Sequence, residues 1–421
     1  MRHDLYFSGL NCTRCPERFP PTADLLRCPR CSSLLDPHYD LERLRSDLPR
    51  LRLEQRLPTI WKWRELLPVL DVDKIVTLGE GGSPFIDCPP LASRIGVRRV
   101  FVLNDGSAMP SGSLKDRSVA VAATKAVEFG YPVLSCDSTG NKAASVAAYA
   151  ARAGIASVVF CPFDTPRPKI AQALFHGAKV IRVRGHFSEV NALYRRLLGS
   201  GNFRWYDCGT DNPYRYEGKK TYAYEVATTL GGTYPTRIFH PAAGCMSIVK
   251  MWKGFEEMRQ LGLARGAPAL VACQPEACAP IVKAWEAGET TVSAVSKKPT
   301  VASALAFADP ADLGDQTLEV LRLSNGLAVA VSDEALLAAW RDLGRLGVFS
   351  EPSGAISLAA ALELSRRRTL HPDDVLVLNV TGSGFKDFDT LIAHVEVPST
   401  VVDSFEEMEV EAKAFDATFG S

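Results

Sequence analysis

The 421-residue sequence predicts an α/β fold of two open, mainly parallel three-layer domains, with a small cysteine-rich module ahead of them. Three observations carry that expectation. Beyond residue 98, short apolar strand-like runs alternate with helical stretches, a pattern that folds into parallel sheets covered by helices on both faces. The run Asp374-Val-Leu-Val-Leu-Asn-Val380 is apolar almost throughout, as a strand buried on both faces should be. The chain also opens with Cys12-Thr-Arg-Cys15 and Cys28-Pro-Arg-Cys31, two Cys-x2-Cys pairs separated by twelve residues.

Taken in order, residues 1–35 form that module. Cys12, Cys15, Cys28 and Cys31 can converge as four thiolates on one structural zinc; a metal-free ribbon or a redox pair are the other readings. Residues 36–92 read as a linker and short helices: Leu41, Leu44, Leu48 and Leu51 step at helical intervals, but Pro49 breaks any single helix there. Thr77-Leu-Gly-Glu-Gly-Gly-Ser-Pro-Phe85 is a Gly-rich turn.

A first domain is expected over 93–190. Strand Arg98–Leu103 leads into Met109-Pro-Ser-Gly-Ser-Leu-Lys115-Asp-Arg117, and a helix from Ser118 closes at Gly130. Lys115 is therefore held where loop meets helix, its amine aimed at one point. After strand Val133–Cys136, the turn Ser138-Thr139-Gly140-Asn141 precedes a helix at Ala143–Arg152. Such a junction presents free N–H groups and the positive end of a helix dipole, and suits a carboxylate or phosphate. Strand Ala156–Phe160, helix Pro168–Phe175 and strand Lys179–Val183 complete the alternation.

A second domain is expected over 191–395. It carries Asn212-Pro-Tyr-Arg215-Tyr-Glu-Gly-Lys-Lys-Thr221 before a helix at Tyr222–Leu230, then Arg237-Ile-Phe-His-Pro-Ala-Ala243-Gly244-Cys245-Met246-Ser247 before a helix at Ile248–Gln260. The guanidinium of Arg215 offers a planar fork suited to phosphate. Strand Gly326–Val331, a helix at Ser332–Leu346, Glu351 and the apolar strand follow, ending in Thr381-Gly-Ser-Gly-Phe-Lys-Asp387. Residues 396–421 are acidic and read as a surface extension.

Composition narrows the function. With 46% hydrophobic and 23% charged residues the chain is ordinary for a soluble globular protein. Its 48 basic and 48 acidic residues cancel, which leaves no electrostatic case for nucleic acid or a membrane. No apolar run approaches the ~20 residues of a membrane span, and Met1–Tyr6 lacks a signal-peptide core, so a cytoplasmic location is expected. Cys88, Cys136, Cys161, Cys208, Cys245, Cys273 and Cys278 lie mostly in apolar surroundings, as buried thiols in a reducing compartment do.

In order and spacing, these motifs resemble the fold-type-II pyridoxal-phosphate (PLP) enzymes, most closely the threonine synthase family, from the cysteine pairs to Phe388. The resemblance implies that Lys115 carries PLP covalently, that Asn141 bonds the cofactor ring oxygen, and that the Thr381 hydroxyl faces the pyridine nitrogen. Ala243, Gly244, Cys245, Met246 and Ser247 would wrap the cofactor phosphate. Ser138, Thr139 and Gly140 would hold the substrate carboxylate, and Arg215 the substrate phosphate. Lys142 would help stabilise the leaving group. Burial would bring the Lys115 amine toward the working range as a general base.

The implied reaction is O-phospho-L-homoserine plus water to L-threonine plus phosphate, on a small-molecule amino-acid substrate. The sequence departs from the family at Ala243–Met246, where glycines and an asparagine are usual. It departs again at Met109 and Ser111 in place of Asn and Thr, and at Lys142 in place of a small residue or Thr. Those departures keep open a related β- or γ-replacement enzyme, such as one resembling cysteate synthase, or a specialised-metabolism synthase. A cofactor-free regulatory or metal-binding paralogue is a further alternative, against which Lys115, Asn141 and Thr381 stand together. Subunit number is left open, a homodimer included.

Overall fold

The computed structural model describes residues 6–23, 25–138, 140–185, 187–231, 234–396 and 400–418. The chain divides into two compact units, residues 1–387 and 388–421. Three short antiparallel strands, β1 (Phe7–Cys12), β2 (Arg18–Phe19) and β3 (Leu35–Tyr39), make the N-terminal module in the order β2-β1-β3.

Ten further strands make two sheets. These are β4 (Phe85–Asp87), β5 (Arg99–Asn104), β6 (Val133–Asp137), β7 (Ala156–Pro162), β8 (Lys179–Val183), β9 (Trp205–Asp207), β10 (Arg237–Pro241), β11 (Ala269–Pro275), β12 (Leu327–Val331) and β13 (Val375–Val380). One sheet has the order β12-β11-β10-β13-β5-β4, all parallel except the edge pair β4–β5; the other is β8-β7-β6-β9, all parallel.

Sheet membership crosses the boundaries expected at 93 and 190. β5 pairs with β13 and so lies in the six-stranded sheet, while β9 pairs with β6 in the four-stranded one. Register explains the first: Val100, Phe101 and Val102 of β5 are buried in line with Leu376, Val377 and Leu378 of β13, an apolar match across both faces. β9 is three residues long, too short for its Trp-Tyr-Asp to read as a strand.

The helix Lys115–Glu128 starts three residues before the expected Ser118. Ser113 explains the earlier start: its carbonyl accepts the Asp116 N–H at 3.2 Å and its hydroxyl the Lys115 N–H at 3.4 Å. From Asp116 to Ala126 every residue of this helix is buried, and its Ala-rich sequence lets it pack on all sides. Arg117 pins its first turn. The buried guanidinium meets Asp105 at 2.9 Å, Glu225 at 2.6 Å and Thr221 at 2.9 Å, so that two carboxylates, that of Glu225 partly exposed, answer one cation.

Two apolar cores follow the sheets. One gathers Ile238, Met251, Phe255, Leu270 and Val377, the other Val119, Leu134, Val146, Ala147 and Val159. Helix Leu41–Asp47 gives way to a 3₁₀ turn at Leu48–Arg50, where Pro49 lacks the N–H a continuing helix needs. In the second unit, the acidic stretch forms a helix at Phe405–Ala417 exposed along its length. Among the described residues no helix is long and apolar enough to cross a membrane.

Candidate active site

Parallel strands end with their carbonyls and following loops on one edge, and that edge is where ligands bind in open α/β sheets. The singled-out residues sit there: Thr381 after β13, Ala243–Ser247 after β10, and Ser138, Gly140 and Asn141 after β6. Arg215 follows β9, and Lys115 the loop after β5.

Backbone pairing brings the Lys115 and Thr381 segments together. Leu114 N–H donates to the Thr381 carbonyl at 3.0 Å, Ser383 N–H to the Gly112 carbonyl at 2.8 Å, and Ser113 bridges to Gly382. The four-stranded sheet joins them through Asn141, whose Nδ2 donates to Glu351 Oε1 at 2.9 Å; Glu351 N–H in turn donates to the Gly382 carbonyl at 3.0 Å.

Lys115 is half-buried, and its amine makes no hydrogen bond with the described residues. Burial, with the nearby charges of Arg215 and Lys142, lowers its pKa to about 8; Glu351 opposes them. Burial raises the pKa of the Glu351 carboxyl, against the pull of Lys115 and Lys386. Thr381 is buried, with its hydroxyl unbonded among the described residues.

Arg215 is buried, and its Nη1 donates to the carbonyls of Cys208 and Gly209, both at 2.7 Å. Its Nε is buried without a partner and its guanidinium carbon lies 4.3 Å from the Tyr216 ring centre. One edge of the fork is thus held by backbone and the other left for an acceptor, at the cost of an unmade hydrogen bond until one arrives.

The other expected residues lie as follows. The Ser138 hydroxyl caps the helix Asn141–Ala153, accepting from Gly140 N–H at 3.2 Å and Ala143 N–H at 3.1 Å. Thr139 lies outside the described residues. Gly140 is the residue before that helix and Lys142 its second residue.

Lys142 is not a free cation: its amine meets Asp137 at 2.7 Å. Burial works against both charges, yet the pair prevails, raising the Lys142 pKa and lowering that of Asp137 to about 2. Met109 is exposed, whereas Ser111 is buried, its hydroxyl 3.0 Å from that of Ser113. In the Ala243–Ser247 loop, Cys245 adopts a left-handed conformation (φ 60°) just before the helix Met246–Gln260. The N–H groups of Gly244, Cys245 and Ser247 make no bond with the described residues.

Sequence reasoning passed over Lys219. Its amine, almost fully buried, donates to Ser247 Oγ at 2.9 Å. The neighbouring motif lysine, Lys220, is instead ion-paired with Glu217 at 2.7 Å and Glu257 at 2.8 Å. Glu217 also takes Lys250 at 2.6 Å, Lys253 at 3.1 Å and the Tyr39 hydroxyl at 2.8 Å, which ties β3 of the module to the Arg215 segment. Two adjacent lysines with opposite fates carry no mark in the sequence.

In the module, the sulfurs of Cys12, Cys15, Cys28 and Cys31 all lie within 4.8 Å of one another, with Cys12–Cys31 at 3.4 Å and Cys15–Cys28 at 3.6 Å. Tetrahedral thiolates on ~2.3 Å zinc bonds stand roughly 3.8 Å apart.

Residues 76–382 match the family model described as pyridoxal-phosphate dependent enzyme. The chain is 38% identical over 397 residues to threonine synthase of Methanosarcina acetivorans, covering 94% of this chain and 96% of that one. It is 34% identical over 389 residues to threonine synthase of Methanocaldococcus jannaschii, covering 92% and 95%. Among solved structures, maize serine racemase superposes with a TM-score of 0.61 at 20% identity, over 80% of this chain and 93% of that one. Diaminopropionate ammonia lyase from Escherichia coli gives 0.62 at 15% identity, over 91% and 96%.

Proposed function

The chain belongs to the pyridoxal-phosphate dependent enzyme family, and on that premise we propose that it is a threonine synthase, converting O-phospho-L-homoserine and water to L-threonine and phosphate. Its relatives named threonine synthase, matched along nearly their whole length, support that reading. The observation that carries it is a buried, half-satisfied Arg215 set among cations near Lys115: an unpartnered Nε in a dry site calls for an anion.

The residues fit the cofactor. Lys115 supplies an amine of lowered pKa that is unbonded among the described residues, Thr381 a hydroxyl likewise unbonded, and Gly244, Cys245 and Ser247 free N–H groups at a helix start. When bound, PLP supplies an electron sink for charge developing on the substrate carbons. Lys115 Nζ would hold the aldehyde and move the proton at the substrate α-carbon, a task for which a pKa of about 8 suits it. Asn141, fixed by Glu351, would orient the ring. The helix start after Ser138 would receive the substrate carboxylate. Arg215 would hold the phosphate as it leaves, its other edge braced by two carbonyls.

Lys142 would play a smaller part than its charge suggests, because Asp137 neutralises it. That removes the main reason to prefer a different leaving group. The four cysteines would hold a structural zinc, and a cytoplasmic place of action goes with the biosynthetic role.

Incubation of the purified, cofactor-loaded protein with O-phosphohomoserine, and separately with O-phosphoserine and sulfite, tests the reading by product analysis. Threonine and phosphate from the first mixture support it. Turnover of the second mixture alone would replace it by a cysteate-forming activity.

A further inference from the structure

The Lys219 amine is buried, and no carboxylate pairs with it among the described residues. Its amine donates to Ser247 Oγ at 2.9 Å and lies 5.5 Å from the Tyr216 ring. Burial, followed by repulsion from Lys115 and Arg215, pushes its pKa well below that of an ordinary lysine. A charge so placed is costly unless an anion comes to it. Its contact also gives the direction. Ser247 is the second residue of the helix Met246–Gln260, and the N–H groups of Gly244, Cys245 and Ser247 beside it are unbonded among the described residues. A serine hydroxyl that accepts from Lys219 still has its own proton to give.

We propose that Lys219, acting with Ser247, is the counter-ion of the cofactor phosphate, which leaves Arg215 to the phosphate of the substrate. This rests on the cofactor reading and divides its two anions between two cations. Arg215 is held by carbonyls after β9, at the end of the four-stranded sheet, whereas Lys219 reaches the loop after β10 in the six-stranded sheet. It also accounts for a loop reading Ala243-Gly244-Cys245-Met246. A cation adds charge where the backbone amides would otherwise bind the dianion alone.

The test compares pyridoxal phosphate with pyridoxal, which lacks the phosphate, in equilibrium titrations of the apoprotein followed by the visible band of the bound cofactor. For Lys219→Gln the expected result is a loss of at least about tenfold in pyridoxal phosphate affinity, with pyridoxal changed less than about twofold. Lys219→Arg should restore most of the loss. The apoprotein of Lys219→Gln should melt no lower than the wild-type apoprotein, since the buried amine it replaces pairs with no carboxylate among the described residues. Unchanged phosphate-ester affinity, or equal losses for both ligands, overturns the assignment.

A phosphorus NMR titration of the wild-type holoprotein needs no variant. The bound phosphate should stay dianionic through its usual second pKa of about 6, and titration at that ordinary value also overturns the proposal. A wild-type protein that takes up no pyridoxal phosphate would instead sink the cofactor reading, and this inference with it.

Discussion

Gly218 lies in the 3₁₀ segment Arg215–Lys220, against the first turn of the Lys115 helix. A Cβ added there would sit 2.6 Å from the Arg117 carbonyl carbon, 3.2 Å from Ser118 N, and closer still to the Arg117 oxygen. Comfortable carbon contacts need ~3.5–4.0 Å, so Gly218→Ala demands roughly 1 Å of new separation between two backbones. Neither yields easily. Arg117 is tied to Asp105, Glu225 and Thr221, and the Gly218 side is tied through Glu217 and Lys220 to Glu257.

Overpacking of this kind costs about 1–3 kcal/mol. A displacement of ~1 Å between Lys115 and the Arg215–Lys219 segment should lower kcat/KM about 100-fold. Phosphate release from O-phosphohomoserine and a thermal melt read both effects. Gly344, inside the helix Asp333–Arg345 with nothing within 4 Å, is the control. Gly344→Ala should be neutral or gain up to about 1 kcal/mol. A Gly218→Ala protein with wild-type kcat/KM and melting would refute the close-approach argument.

Three other outcomes are expected. Because the Lys115 pKa falls from 10.5 to about 8, its amine is half neutral near that pH; the rate of cofactor uptake by the apoprotein should rise with pH and level off above about 8. A rate still climbing toward pH 10, seen by stopped-flow absorbance, would contradict it. Asp137→Asn strips Lys142 of its carboxylate and should destabilise the fold by about 3 kcal/mol in denaturant titrations. The Lys142 charge thus exposed should move the uptake profile to lower pH; no shift would count against the pairing. Elemental analysis should find one zinc per chain. Cys28→Ser should lose it and raise the KM for the phosphorylated substrate, because Arg27 binds Asp211 at 2.9 Å and the Tyr214 hydroxyl donates to the Thr22 carbonyl at 2.8 Å beside Arg215. Full zinc content in that variant, or an unchanged KM, would break the link.

What the sequence disclosed was local chemistry. A lysine after a Gly/Ser turn, a threonine ending an apolar strand and an asparagine at a helix start can be read because each depends on its immediate neighbours. What it hid were pairings over distance. Asn141 meets Glu351 across 210 residues, and β5 joins β13 across most of the chain. Lys142 reads as a free charge because its partner, five residues back, ends the preceding strand and faces it only in the folded chain. Lys219 and Lys220 differ only in which buried surface each meets, a matter of packing that no local pattern encodes.

The account stands or falls on which amine takes the cofactor, since Lys115, Lys142 and Lys219 all lie near the same cleft. Borohydride reduction of the loaded protein, followed by digestion and mass spectrometry, should place the pyridoxyl group on the peptide containing Lys115, and Lys115→Ala should retain none. Label on Lys142 or Lys219, or equal labelling without Lys115, would contradict it.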